Sequence, residues 1–428
     1  MSKIDISTRV IAVCDDLLML TNDKEVTLAT GFEEKAFIVD KNTGEQITDE
    51  LSIDFLLRAD EDLEWKPVEE YYSDVYQNKD TYNDSLEQSS LLGFALGDAF
   101  GVPYEFLKKE QIRQLELDGM IGKDTNMKFK SRWSDLIPSG AWSDDTSMIY
   151  STMDAIVASD GKIDNNKIMQ SFVDWWEKGK YCSLNVPFGL GNTVGQALGC
   201  FVNGREPLEC GGKSTRSNGN GALMRILPFS LYCIRRELTE SETAIVTSDA
   251  SALTHGHDIS KMGCFIFTEF MRGLYETRNP EMSFKKILGI DYYKYFSDEA
   301  VKAYSRLLDK DFKNTKDEEM NGSGYVVDSL ECAIYSILNT NNFEEAIKMA
   351  VNTGYDTDTI AGITGALAGT LYGVEKLPEK WVSKLRKKEE LDLIALKYSI
   401  VLDRIKKNDL DDMFVDIEED DLDFIYKK

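Results

Sequence analysis

The sequence predicts an all-α protein, a compact multi-helix domain preceded by a small β-containing module. Three features point that way. From residue 81 onward, apolar residues return at helical spacing in one segment after another. Long β-branched runs bounded by turn residues, the mark of a strand-built core, are missing from that part. Residues 1–80 differ in texture and carry short β-like runs instead.

Taken in order, "RVIAVC", "EVTLAT" and "KAFIVD" are the β-like runs. "KNTGEQIT", after the last of them, reads as a hairpin turn with Gly44 free to take positive φ. "EWKPVEEYYSD" reads as a linker, with Pro67 as a breaker among clustered acids. The helical domain is expected over residues 81–405. Its first helix falls in "YNDSLEQSSLLGFALGDAFG", where Asp84 or Ser85 can cap and Glu87 or Gln88 follows three residues later. Further helices are expected in "SDDTSMIYSTMDAIVAS", "KIMQSFVDWWEKG", "SKMGCFIFTEFMRGLYE", "VVDSLECAIYSILN", "FEEAIKMAVN", "IAGITGALAGTLYG" and "ELDLIALKYSIVLDRIKK". Residues 406–428 form an acidic tail with Phe414, Ile417, Phe424 and Tyr426 interleaved, read as solvated apart from those apolar side chains.

The 428 residues suffice for one large domain with an appendage or for two to three ordinary domains, and 42% hydrophobic with 29% charged residues is a globular composition. A net charge of -26 argues against a protein that tracks nucleic-acid phosphates and against docking on an anionic membrane. The apolar runs are interrupted by Asp, Gly or Thr, so no membrane-spanning helix is expected, and "MSKIDISTRV" lacks the apolar core of a signal peptide. Seven scattered cysteines without a CxxC fit a reduced compartment, so a cytoplasmic location is expected. Histidine is confined to His255 and His257, which excludes a zinc site built on three histidines. A hydrolytic metal here would be held mainly by oxygen, which favours Mg²⁺ or Mn²⁺.

Two segments supply such oxygens. In "GAWSDDTSM", Ser143 can cap a helix whose first turn holds Asp144 and Asp145. In "GYDTDTIAG", Asp356, Asp358 and Thr359 again sit where an apolar helix begins. One such pair is an ordinary cap. Two pairs suggest two helix N-termini aimed at a shared centre, where their mutual repulsion calls for cations between them. Gly362, Gly365, Gly369 and Gly373 recur every three or four residues after the second pair, a stripe that lets another helix approach closely. "STRSNGNGALMRILP" brackets Asn220 with Gly219 and Gly221 ahead of an expected helix containing Met224 and Arg225. Taken alone it is a plain loop; beside a metal pair it suggests a pyrophosphate cradle. In "LLGFALGDAFGVPYEF", Asp98 near a helix end and Glu105 on the following turn both read as structural when taken alone, although Glu105 on such a turn can reach into a site as acid, base or water-orienting group.

Together, "GDAFGVPYEF", "WSDDTSM", "NGNGALMRILP", "ALTH" and "VNTGYDTDTIAGITGALAGTLYG" resemble the ADP-ribosylglycohydrolases, in the order that family has them, over residues 85 to about 400. The segment "FVDWWEKGKYCSLNVPFGLGNTVGQAL" resembles the stretch between its first acidic motif and its glycine loop. The resemblance implies an all-α fold whose cleft holds two Mg²⁺ or Mn²⁺ ions. It implies Ser143, Asp144, Asp145, Asp356, Asp358 and Thr359 as metal ligands, with Glu105, Asp144, Asp145 and Asp358 in catalysis. It also implies that Asn218, Gly219, Asn220, Gly221, Ala222, Met224 and His255 contact the ADP-ribose. Two departures are visible: Ser143 stands where the family has Thr, and Tyr355 follows Gly354 where the family has a second Gly, which puts Tyr355 at the substrate edge.

The implied reaction is removal of ADP-ribose from a protein side chain, arginine foremost, by hydrolysis at the anomeric ribose carbon. The implied partner is an ADP-ribosylated protein. An alternative is an ADP-ribose-binding immunity protein that blocks an ADP-ribosyltransferase toxin through residues 1–80. The intact set of ligands argues against lost catalysis. A third reading, a metal-dependent phosphohydrolase, would release AMP or phosphate rather than ADP-ribose.

Overall fold

The structure, a computed structural model, describes residues 85–405 apart from 134, together with the strand segments of residues 1–83. Ser85 starts the helical part. Its hydroxyl accepts from the Gln88 amide at 3.1 Å and caps α1 (Leu86–Gly101), every residue of which is buried. The remaining longer helices are α2 (Asp144–Val157), α3 (Asn165–Lys178), α4 (Asn192–Val202), α5 (Leu227–Arg235), α6 (Glu240–Ala252), α7 (Asp258–Thr277), α8 (Pro280–Leu288), α9 (Val326–Leu338), α10 (Phe343–Val351), α11 (Thr357–Tyr372) and α12 (Lys388–Arg404). The all-α expectation for this part holds.

α11 is buried from Thr357 to Leu371, and like α1 it lacks a polar face, so the two helices belong at the centre. They pack backbone to backbone. A Cβ on Gly93 would lie 2.3 Å from the Gly365 carbonyl oxygen, and one on Gly97 2.0 Å from that of Ala361. From the other side, a Cβ on Gly369 would lie 2.0 Å from the Ser89 oxygen. Gly365 and Gly369 thus admit the neighbouring helix as the glycine stripe suggested. Gly362 instead faces the Phe94 ring, and Gly373 ends the helix at φ 81°. Around this pair, α12 packs on α1 and α2, while α7, α9 and α10 pack on α11.

Four of these helices, α4, α5, α6 and α8, lie outside the segments expected to be helical. For α6 the signal was present: Thr239 and Glu242 form a reciprocal capping box. The helix expected at Met224 and Arg225 is a single 3₁₀ turn, Leu223–Arg225, with α5 starting just beyond it.

The chain divides into two units, Met1–Asn83 and Asp84–Lys428. In the first, β1 (Leu17–Thr21), β2 (Lys24–Thr30), β3 (Lys35–Asp40) and β4 (Leu51–Ser52) form an antiparallel sheet in sequential order. "EVTLAT" and "KAFIVD" pair from Val26↔Asp40 to Thr30↔Ala36. β5 (Leu56–Arg58) and β6 (Trp65–Pro67) form a separate two-stranded ribbon. Pro67, expected in a linker, therefore ends a strand; a two-stranded ribbon is all edge, where a residue without an amide proton is tolerated. "RVIAVC", the Gly44 turn and the acidic tail lie outside the described residues. Among the described residues no helix is long and apolar enough to cross a membrane.

Candidate active site

α1 positions both acidic tips. Near its end, the Asp98 carboxylate accepts from the Ser143 amide at 3.0 and 3.1 Å, the Thr146 amide at 3.1 Å and the Thr146 hydroxyl at 2.6 Å. Asp98 therefore caps α2 from another helix, and Ser143 adds a local cap by accepting from the Asp145 amide at 3.3 Å. Three residues further along α1, a Cβ on Gly101 would lie 2.3 Å from the Thr357 oxygen and 2.5 Å from the Asp358 Cα. The Thr357 hydroxyl donates to the Gly101 carbonyl at 2.8 Å. One helix end thus holds the start of α2 and the start of α11 together.

The two tips open into a cavity of about 340 Å³ lined by Glu105, Asp144, Asp145, Asp356, Asp358 and Thr359. Gly219, Asn220, Gly221, Met224, His255 and Tyr355 line it as well, whereas no Lys or Arg does among the described residues. Asn220 braces the second tip. Its side-chain nitrogen donates to the Asp356 carboxylate at 2.7 Å and to the Ser329 hydroxyl at 2.9 Å, and its amide donates to the Gly324 carbonyl at 3.0 Å. That amide is consumed in holding the loop, so the glycine cradle offers an anion fewer donors than its sequence suggested.

Five carboxylates in one cavity perturb each other. Burial pushes Asp144, Asp145 and Asp358 well above the usual carboxylate range, and the neighbouring acids add to it. Asp356 is also raised by burial, against the Asn220 hydrogen bond. Burial raises Glu105 to about 7, opposed chiefly by the Trp133 indole, which donates to its carboxylate. His255, buried and beside Arg225, is pushed down to about 3, so it faces the cavity as a neutral ring, with its Nδ1 2.9 Å from the Thr254 hydroxyl.

The donor set suits divalent cations. Asp145 Oδ2 and Asp358 Oδ1 are buried without a hydrogen-bond partner, and such orphaned acceptors are costly unless something positive meets them. Oxygens of Glu105, Asp356 and Asp358 lie within 4.8 Å of one another, close enough to share an ion. Thr359 lines the same cavity, and its hydroxyl is an oxygen donor of the hard kind.

Three expected residues do not line the cavity. Ser143 is buried in its capping role, and Ala222 is fully buried. The Asn218 side chain is engaged with the Thr215 carbonyl, His257 Nδ1 and the Ser260 hydroxyl. His257 itself caps α7 by accepting from the Ile259 amide at 3.3 Å.

Phe106, Gly189, Gly191, Asn192, Thr193, Val194 and Gly324 line the cavity without having been singled out. The signal was legible in "GLGNT", a glycine-rich turn that opens α4. Gly191 sits at the cap position without a side-chain cap bond, which leaves the first amides of α4 available to an anion. Gly189, at φ 94°, passes so close to Asp144 that a Cβ would lie 1.9 Å from its Oδ1.

In this all-α cleft two distant acidic helix tips meet beside glycine-rich turns, the arrangement of a helical hydrolase. The chain belongs to the ADP-ribosylglycohydrolase family, whose sequence model matches residues 83–409. It is 29% identical over 318 residues to an ADP-ribosylarginine hydrolase, Tri1, of Serratia proteamaculans, covering 73% of this chain and 79% of that one. It is 28% identical over 304 residues to the ADP-ribosyl-[dinitrogen reductase] glycohydrolase of Rhodospirillum rubrum, covering 71% of this chain and 91% of that one. A solved structure described as an ADP-ribosylglycohydrolase-related protein complex superposes with a TM-score of 0.59 at 23% identity, covering 74% of this chain and 98% of the other, which bears on the fold.

Proposed function

We propose that the chain is a divalent-metal-dependent glycohydrolase that removes ADP-ribose from a modified protein, arginine being the modified side chain, by cleaving the bond at the anomeric ribose carbon. The observation that carries this reading is the meeting of the α2 and α11 tips in one cavity with unpartnered buried carboxylate oxygens. The relatives named for ADP-ribosylarginine and ADP-ribosyl-[dinitrogen reductase] hydrolysis support the substrate class.

Asp144, Asp145, Asp356, Asp358 and Thr359 would hold two Mg²⁺ or Mn²⁺ ions, with Ser143 able to join by turning its hydroxyl from its cap. When bound, the ions supply the positive charge against which ribose hydroxyls orient and a water ionises more readily. Glu105, its carboxyl raised by burial beside the tips, orients the ribose hydroxyls or takes the proton released by the attacking water. Asp144, Asp145 and Asp358 balance the positive charge that develops on that carbon. Among the described residues no Lys or Arg lines the cavity, so backbone amides at the start of α4 and around Gly219 and Gly221 receive the diphosphate and fix the anomeric carbon by remote binding. Neutral His255 and Met224 contact the ligand, and Tyr355 shapes the edge where the modified protein enters. The described free cysteines accord with a reducing, cytoplasmic setting. A toxin-blocking role for residues 1–80 is a separate proposal; that segment precedes the family match and rests on sequence texture.

The test is incubation of an ADP-ribosyl-arginine protein with the enzyme and Mn²⁺, followed by mass analysis of the product. Intact ADP-ribose is expected, with release stopped by a chelator. AMP as the product would replace this reading with a phosphohydrolase. Binding of ADP-ribose without release would favour the non-catalytic alternative.

A further inference from the structure

The mouth of the cavity carries a cation that the hydrolysis itself does not use. The Arg132 guanidinium carbon lies 5.0 Å from the centre of the Phe106 ring and 4.7 Å from that of Trp133. Both distances fall within the range of a cation held on aromatic faces. Phe106 is 51% exposed yet lines the cavity, a position that gains nothing from core packing. It is held there in an unfavourable backbone conformation, φ 67°, and so is its partner Tyr355, φ 59°. The two strained residues brace each other: the Phe106 amide donates to the Tyr355 carbonyl at 2.6 Å, and the Tyr355 amide donates to the Leu107 carbonyl at 2.8 Å. Trp133 is fixed from behind by an edge contact with Phe188 at 5.3 Å and by the cluster of Val102, Ile137 and Ala141. Its indole N–H donates to Glu105, so one carboxylate faces both the cavity and this aromatic corner.

Two rings and a carboxylate around one planar cation make a guanidinium site. We propose that Phe106, Trp133 and Glu105 form the leaving-group subsite for the guanidinium of a modified arginine, and that Arg132, exposed and tethered alongside, occupies it until substrate displaces it. The inference rests on the arginine-linked reading. In that reaction the C–N bond breaks, water supplies a hydroxyl to the anomeric carbon, and its remaining proton goes to the departing nitrogen. The guanidinium is therefore a cation before and after cleavage, and the corner holds it throughout. A hydroxyl leaving group carries no charge and gains nothing there, so the corner selects arginine over serine.

The test is calorimetric titration of agmatine, a small guanidinium compound, into the wild type and variants. Arg132→Ala removes the resident competitor and is expected to bind agmatine about fivefold more tightly. Phe106→Ala in that background is expected to lose this gain, and Phe106→Tyr, which keeps the ring, to retain it. Agmatine binding unchanged by Arg132→Ala, or unaffected by loss of the Phe106 ring, overturns the subsite. Phe106 is exposed, and a thermal melt of each variant verifies folding. The titration needs no turnover: if the wild type releases no ADP-ribose from modified arginine, the activity reading fails, while agmatine binding still decides the subsite.

Discussion

Asp98 has four hydrogen bonds donated to it by residues that lie 45 and 48 positions away, Ser143 and Thr146. In the sequence it reads as a helix-end residue whose side chain satisfies its own turn. Nothing local reveals that it caps another helix, because the amides it receives belong to a segment brought near only by folding. Glu105 taken alone also reads as structural; only the family resemblance put it beside the site, and its hydrogen bond from Trp133 was not legible. Hydrogen bonds to a buried carboxylate contribute roughly 1.5–3 kcal/mol each. Asp98→Ala is therefore expected to lower unfolding free energy by at least about 2 kcal/mol in denaturant titration, and to lower turnover by loosening Asp144 and Asp145. Wild-type stability in that variant would contradict the cross-helix cap.

The pairing of α1 with α11 is a property of elements. Glycine at Gly93, Gly97, Gly365 and Gly369 costs up to about 1 kcal/mol per residue in helix propensity. The close contact of two backbones offsets that cost and sets the acidic end of α11 against the end of α1. Gly97→Ala gains in propensity but drives a Cβ to 2.0 Å from the Ala361 oxygen. Overpacking is expected to win, with a net loss of about 1–3 kcal/mol and weaker metal binding. Gly199→Ala in α4, where nothing lies within 4 Å of the new Cβ, is the control and should be neutral or slightly stabilising. A Gly97→Ala protein as stable as Gly199→Ala would mean the helices are not locked together. The glycine stripe on α11 was legible because spacing and residue type sufficed. Its complement on α1, Gly93 and Gly97, was not, since only the structure pairs the two stripes.

At the scale of the molecule, the fold brings together sequence separated by more than two hundred residues: Asp144 and Asp145 at one tip, Asp356 and Asp358 at the other. The acidic motifs, the glycine loop around Asn220 and the helical texture were readable because each is a short run with its own physical cause. The role of Asn218 in bracing His257 and Ser260 and the aromatic corner around Arg132 were less so, since each depends on which loops fold toward one another. The central claim is that both tips bind the same cations. Calorimetric titration of Mn²⁺ into the wild type, Asp145→Ala and Asp358→Ala tests it directly. The wild type is expected to bind, and each change, one on each tip, to weaken binding at least about tenfold, or ~1.4 kcal/mol. Wild-type affinity in either variant, or no Mn²⁺ uptake by the wild type, would contradict it.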